Sequence, residues 1–242
     1  MVVKSELKLI KSLQQKKCRK EHGMFVMEGK KAVSEVLLSS LKVYALFVTK
    51  GNEILESGVK PILVTEKELQ QMSGLKNPNG VLGVFHIPEA LPIKGNGWIL
   101  MLDGIQDPGN MGTIIRLCDW FGITNVVCSK ETVDCYNPKV LQATMGAITR
   151  INILYEDLDV FLESTTLPVY GTFMGGASVY GQEFPQKGIL IMGNEGQGIS
   201  ERIHHLCQHK IGIPQFGKMT GESLNVATAT AILLSEIRRD QS

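Results

Sequence analysis

The chain has 242 residues, of which 43% are hydrophobic and 20% charged, and it includes 25 glycines. That length and balance suit one large or two modest domains with a buried core, and they exclude a disordered or fibrous chain. A formal net charge of +1, from 25 Lys and Arg against 24 Asp and Glu, excludes a nucleic-acid binder that works through overall charge alone. The charge is unevenly spread: Lys4, Lys8, Lys11, Lys16, Lys17, Arg19, Lys20, Lys30 and Lys31 crowd the first segment, opposed there only by Glu6, Glu21 and Glu28. A solvated helix face and a phosphate-contacting patch both fit that run. The five cysteines (Cys18, Cys118, Cys128, Cys135, Cys207) form no CxxC pair, which points to free thiols in a reducing cytosol. No early apolar stretch reads as a signal peptide and no run is long enough to span a bilayer, so a cytoplasmic location is expected.

Residues 4 to 17 alternate Leu and Ile with Lys, Glu and Gln at helical spacing and predict one amphipathic helix. A short strand over 25–29 and a helix through Ala32, Val36 and Leu37 follow. Strands are expected at 43–49 and 61–65, then a helix from Glu66 to Met72. The turn signal Asn77-Pro78-Asn79-Gly80 leads into a strand at 81–87. Residues 88–97 are rich in Pro and Gly and read as a linker, placing a domain boundary near residue 95: residues 1–95 form a small α/β domain and 96–242 a second one. The second half opens with a buried strand from Trp98 to Leu102. A loop and helix, a strand at 125–129, a helix from Pro138, and strands near 151–154 and 168–172 flanking a helix at 157–162 come next. Repeated strand–helix units predict a mostly parallel, doubly wound sheet.

The stretch from Gly188 to Ala231 organises the rest. An apolar strand, Ile189 to Met192, stops on Gly193, and Gly193, Gly196 and Gly198 make a loop that lets a ligand approach the backbone. A second strand, Lys210 to Ile213, ends on Pro214, and Ser223 is expected to open a long helix closing on Arg238 and Arg239. Two strands that each release a loop beside a helix N-terminus suit a small polar ligand held largely by main-chain groups.

The segments GNEGQGIS (193–200) and IPQFGKMTGESLNV (213–226) resemble the second and third motifs of the SpoU (TrmH-like) RNA ribose 2′-O-methyltransferases of the SPOUT class. Asn110, Gly112 and Arg116, preceded by Asp107-Pro108-Gly109, have the spacing of that family's first motif. The similarity covers about residues 98–238. In the first half, FVMEG and PNGVLGVF resemble a ribosomal-protein-like RNA-binding domain. The resemblance implies an α/β fold whose C-terminal SPOUT domain has a parallel sheet and a deep trefoil knot, preceded by that small RNA-binding domain. It also implies S-adenosylmethionine as cofactor, no metal, and a homodimer whose active site borrows from both chains.

On this resemblance Gly193, Ile213 and Leu224 contact the cofactor, with Thr172, Asn194 and Gly198 as neighbouring candidates. Arg116 acts on the ribose. Because a guanidinium keeps its proton, it is read as a bidentate clamp on phosphate and on the emerging oxyanion rather than as a base. Asn110, Glu195, Ser223 and Asn225 fill the remaining matched positions: Glu195 as an anchor of loop amides or of Arg116 across a dimer, Ser223 as helix cap and substrate contact, Asn225 just inside the first turn. Ala227 and Ala231 suit either a dimer seam or the core. Lys16, Lys17, Arg19, Lys20 and Lys30 are the candidate RNA contacts. The loop from Gln215 to Glu222, with Phe216 and Lys218, is longer than in many relatives.

The run HHLCQH at 204–209 lacks a carboxylate to complete a tetrahedral set and is read as a solvated helix end. A nicotinamide-dinucleotide oxidoreductase is the competing enzyme class, but no GxGxxG opens an early helix with an acidic residue about twenty positions on. A non-catalytic RNA-binding module is the other competitor. Methylation of a ribose 2′-hydroxyl in RNA is the leading expectation, ribosomal RNA being preferred to transfer RNA because a separate binding domain suits a folded stem-loop.

Overall fold

The computed structural model of the chain describes residues 2–52, 58–93, 95–217 and 222–239. Lys218 of the longer loop lies outside them. The elements run α1 (Lys4–Ser12), α2 (Lys16–His22), β1 (Met24–Glu28), α3 (Lys30–Leu37), β2 (Val43–Val48), β3 (Ile62–Leu63), α4 (Glu66–Met72) and β4 (Val81–His86). They continue with β5 (Trp98–Asp103), α5 (Pro108–Trp120), β6 (Asn125–Cys128), α6 (Pro138–Thr144), β7 (Asn152–Tyr155), α7 (Leu158–Ser164), β8 (Val169–Ser178), β9 (Gly188–Gly193), α8 (Glu201–His204), β10 (His209–Gly212) and α9 (Val226–Arg238).

Packing divides the chain into two units, Met1–Glu89 with Asp134–Thr149, and Ala90–Val133 with Arg150–Ser242. A boundary near residue 95 assigns Asp134–Thr149 to the second half, whereas their packing groups them with the first. The signal is tertiary: α6 packs on β1, and the Tyr136 ring lies 4.9 Å from that of Phe25.

In the first unit the sheet order is β1-β4-β2-β3, with β4 antiparallel to both neighbours and β3 parallel to β2. Ile10, Leu13, Val26, Phe47, Leu69 and Met72 are central to its core. A capping box, Thr65 with Glu68, starts α4 where the helix was expected.

Two expectations fail here for one reason. The single helix over 4–17 breaks into α1 and α2, because Nη1 of Arg19 takes the carbonyls of Leu13 and Gln14, both at 2.9 Å. Nη2 of the same guanidinium meets Asp134 Oδ2 at 2.6 Å, and Arg19 is only 2% exposed. Arg19 is therefore not an RNA contact but a buried staple, since a buried charge must be paired and hydrogen-bonded. Lys16, Lys17, Lys20 and Lys30 are exposed.

The second unit is a six-stranded, wholly parallel sheet in the order β10-β8-β9-β5-β6-β7. Strands β5 and β9 are buried along their whole length, which is what apolar runs covered on both faces produce. The insertion of β9 between β8 and β5 sets Gly193 opposite Asp103. It brings the carboxyl ends of three neighbouring strands to one rim, where open α/β sheets bind ligands.

Candidate active site

Strand β8 pairs with β10 out of register: Lys210 faces Gly171, but Ile211 faces Ala177. The residues between, Thr172 to Gly176, bow away from the ladder, a bulge of the kind that re-aims side chains near sites. The excursion is possible because position 212 is glycine; a Cβ there would stand 2.2 Å from the Phe173 carbonyl oxygen. Phe173 and Met174 thereby become part of a cavity of about 490 Å³ beside the excursion of β8 and at the ends of β9 and β10. Val226, Ala229 and Leu233 close it from one face of α9, at helical spacing.

The turn after β9 forms its floor. Asn194 and Gly198 exchange backbone hydrogen bonds at 2.9 Å, and Asn194 Oδ1 accepts from the amides of Gly196 and Gln197 at 2.9 and 3.0 Å. Asn194 Nδ2 donates to the Gly104 carbonyl at 2.6 Å, tying the turn to the end of β5. The packing reason for Gly193 lies within the turn. A Cβ there would sit 2.2 Å from the Gly198 carbonyl carbon and from the Ile199 nitrogen, so the doubled-back chain excludes it before any ligand is considered.

Helix α5 begins on Asp107, whose Oδ1 accepts from the Asn110 amide at 2.8 Å. Glu195 reaches this N-terminus with both oxygens: Oε1 accepts from Asp107 N and Asn110 Nδ2, each at 3.1 Å, and Oε2 from Gln106 N at 3.2 Å. Burial pushes the Glu195 carboxyl upward, but these donors outweigh it and hold the group below the ordinary carboxylate range. Asn225 Nδ2 donates to Asn110 Oδ1 at 2.8 Å, while its Oδ1 caps α9 by accepting from Ala227 N and Thr228 N at 3.0 and 3.2 Å. Asn225, not Ser223, is thus the helix cap, and it stands outside the first turn because α9 opens at Val226. One hydrogen-bonded line, Glu195–Asn110–Asn225, joins all three motifs.

The expected cofactor residues Thr172, Gly193, Asn194, Gly198, Ile213 and Leu224 all line the cavity, as do Glu195 and Ser223. The Thr172 hydroxyl donates to the Ile191 carbonyl at 2.9 Å. Asn110 and Asn225 stand behind Glu195. Arg116 is not brought to the cavity within one chain. It lies on the exposed face of α5 with Thr113 and Trp120 and bonds no other described residue. Sequence reasoning missed Met174 and His204 on the cavity wall; the β8 excursion and the turn of α8 toward the site leave no periodic signal.

Residues 97–235 match the sequence profile of the SpoU rRNA Methylase family. The chain belongs to that family. Residues 4–83 match the MRM3-like substrate binding domain, so the SpoU domain here follows a substrate-binding one. Among relatives of the SpoU enzymes, the 23S rRNA (guanosine(2553)-2′-O)-methyltransferase RlmP of Bacillus subtilis is 33% identical over 94% of each chain. A TrmH-family structure from Porphyromonas gingivalis is 35% identical over the whole of both chains, with a TM-score of 0.89. The AdoMet-bound rRNA methyltransferase from Sinorhizobium meliloti is 29% identical over 99% of this chain and 96% of that one, with a TM-score of 0.85. This SpoU chain is an RNA methyltransferase of the S-adenosylmethionine-dependent kind. The cavity fits that donor: its volume is in the range of small-molecule sites, its walls are mostly apolar, and a few polar residues, among them Thr172, Asn194, His204 and Ser223, are part of its lining. Among the described residues no three His, Cys, Asp or Glu side chains are grouped so as to hold a metal ion.

Proposed function

We propose that this protein transfers a methyl group to a ribose 2′-hydroxyl of ribosomal RNA, as a homodimer with a knotted C-terminal domain. The observation that carries the reading is the Glu195–Asn110–Asn225 line, which holds three sequence-distant motifs beside one cavity. The named target of the Bacillus subtilis relative, a guanosine 2′-O position of 23S rRNA, supports ribose over base and ribosomal over transfer RNA.

The donor, when bound, supplies an activated one-carbon group and its leaving group. What remains for the chain is orientation and control of charge. Main-chain groups of Gly193, Ile213 and Leu224 hold the donor. Glu195 fixes the loop from Gln106 to Asn110, so the substrate meets a rigid edge. Arg116 is a fork for the phosphate beside the target ribose, and it stabilises the oxyanion as the hydroxyl gives its proton to that phosphate or to water. Its position away from the cavity of its own chain supports a site completed by the Arg116 of a second copy. The exposed Lys16, Lys17, Lys20 and Lys30 of the first unit serve the RNA backbone.

Arg116→Ala should abolish methyl transfer to ribosomal RNA while donor affinity, read by calorimetry, stays within about twofold. Mixing it with Asn225→Asp should restore about a quarter of wild-type turnover, because half of randomly paired dimers then hold one intact shared site. No restoration would show that Arg116 serves its own chain. Arg116→Lys with near-normal turnover would remove the bidentate role.

A further inference from the structure

The cavity of the second unit has a charge problem. None of its described lining residues is Lys or Arg, and its one carboxylate, Glu195, is committed to the α5 loop. A donor of the class proposed above carries a sulfonium, an ammonium and a carboxylate. The carboxylate is its only anionic group, and taking it from water without a donor is costly.

One cation is fixed to the cavity wall from outside. Lys210, at the second position of β10, places Nζ 3.1 Å from Nε2 of His204, which lines the cavity. The same ammonium stands 5.7 Å from the centroid of the Phe173 ring, also a lining residue, and Phe173 and His204 meet edge to face at 4.9 Å. An ammonium only donates, so Nε2 accepts and the ring proton sits on Nδ1. The interaction takes one of three ammonium hydrogens and leaves two. The ion-to-ring attraction fixes the stem over the wall. The histidine run that sequence reading assigned to a solvated helix end therefore divides. His205 is exposed and lies 4.0 Å from Glu201, whereas His204 turns to the cavity.

We infer that Lys210, positioned by His204 and Phe173, is the counter-charge for the carboxylate of the donor's methionine moiety. The inference rests on the S-adenosylmethionine reading. Lys210 is a binding residue and His204 a positioning residue, and neither takes part in the transfer of the methyl group.

The test compares two ligands that differ only in the carboxylate, S-adenosylmethionine and its decarboxylated analogue, by calorimetry on the full chain. The wild type should prefer S-adenosylmethionine. Lys210→Met keeps the aliphatic stem and should weaken S-adenosylmethionine roughly tenfold or more while leaving the analogue's affinity unchanged. Lys210→Arg should retain the preference, and His204→Phe, which removes the acceptor for Nζ, should lower the ratio of the two affinities. Equal weakening of both ligands in Lys210→Met would reduce Lys210 to a packing role. No change in either would assign the carboxylate to backbone amides. Each of those results overturns the inference and leaves the proposed reaction standing. A wild type that binds neither ligand overturns the donor assignment itself, and this inference with it.

Discussion

Glu195 shows how one side chain can make a loop rigid enough for chemistry. Its two oxygens receive two backbone amides and one side-chain amide, and these donors favour the charged form over the neutral acid. A carboxyl held below its unfolded value contributes stability that is fully present above the unfolded value and is lost as pH falls through the folded one. The stability difference between wild type and Glu195→Gln should therefore be largest at neutral pH and shrink below about pH 4, as thermal unfolding over a pH series would read. A constant difference across that range would mean the carboxylate charge is immaterial. Gly193 makes the complementary case at the same scale. Its importance was legible in the sequence, since it ends a buried strand before two further glycines, but the reason was not. Only the folded turn shows the Gly198–Ile199 backbone occupying the space a Cβ needs. Gly193→Ala should cost about 3 kcal/mol or more in denaturant unfolding, even without ligand. A loss confined to donor binding would return the role to ligand contact.

At the scale of elements, α9 depends on its first cap. Asn225 uses its oxygen on the helix amides and its nitrogen on Asn110, so two functions share one amide group. Asn225→Asp keeps an acceptor for the cap but turns a second oxygen toward Asn110 Oδ1. Unfolding stability should stay within about 0.5 kcal/mol of wild type, whereas Asn225→Ala costs about 1 kcal/mol. Both variants should lose methyl transfer, and an active Asn225→Asp would sever the link between this line and function. The C-terminus of α5 is tied to α9 by Arg238, whose Nε donates to the Phe121 carbonyl at 2.9 Å. Strand and helix positions were readable because apolar periodicity and Pro or Asn punctuation mark them; α4 runs from Glu66 to Met72 as expected. The departures share a different origin. The split between α1 and α2 is decided by Arg19 pairing with Asp134, 115 residues away, and the β8 excursion by the close approach of Phe173 to Gly212. The carbonyls of Leu13 and Gln14 are near Arg19 in sequence, but the ion pair that holds Arg19 on them, like the approach of Phe173 to Gly212, is set by a partner far along the chain.

For the molecule as a whole, the motifs were legible as an ordered set and the site as a place. Three segments that lie apart in the chain were expected to converge, and their side chains do so on Asn110. The residues expected to contact the donor were named from the resemblance, and all six line the cavity. The partition was less legible: residues 134–149 read as part of the second half, yet they pack with the first unit through contacts such as Phe25 with Tyr136. Pairing of this sort is invisible to composition, which marks linkers rather than returns. Parallel strand order is similarly hidden, since each apolar run would suit any central position in such a sheet.

The reaction itself is open to one direct measurement. Purified protein would be incubated with methyl-labelled S-adenosylmethionine and ribosomal RNA lacking the modification, and the RNA digested to nucleosides for mass spectrometry. The account predicts label in a 2′-O-methylated nucleoside, with the methyl on the ribose fragment. Label on a base fragment, or none in any RNA with wild-type protein, would contradict it.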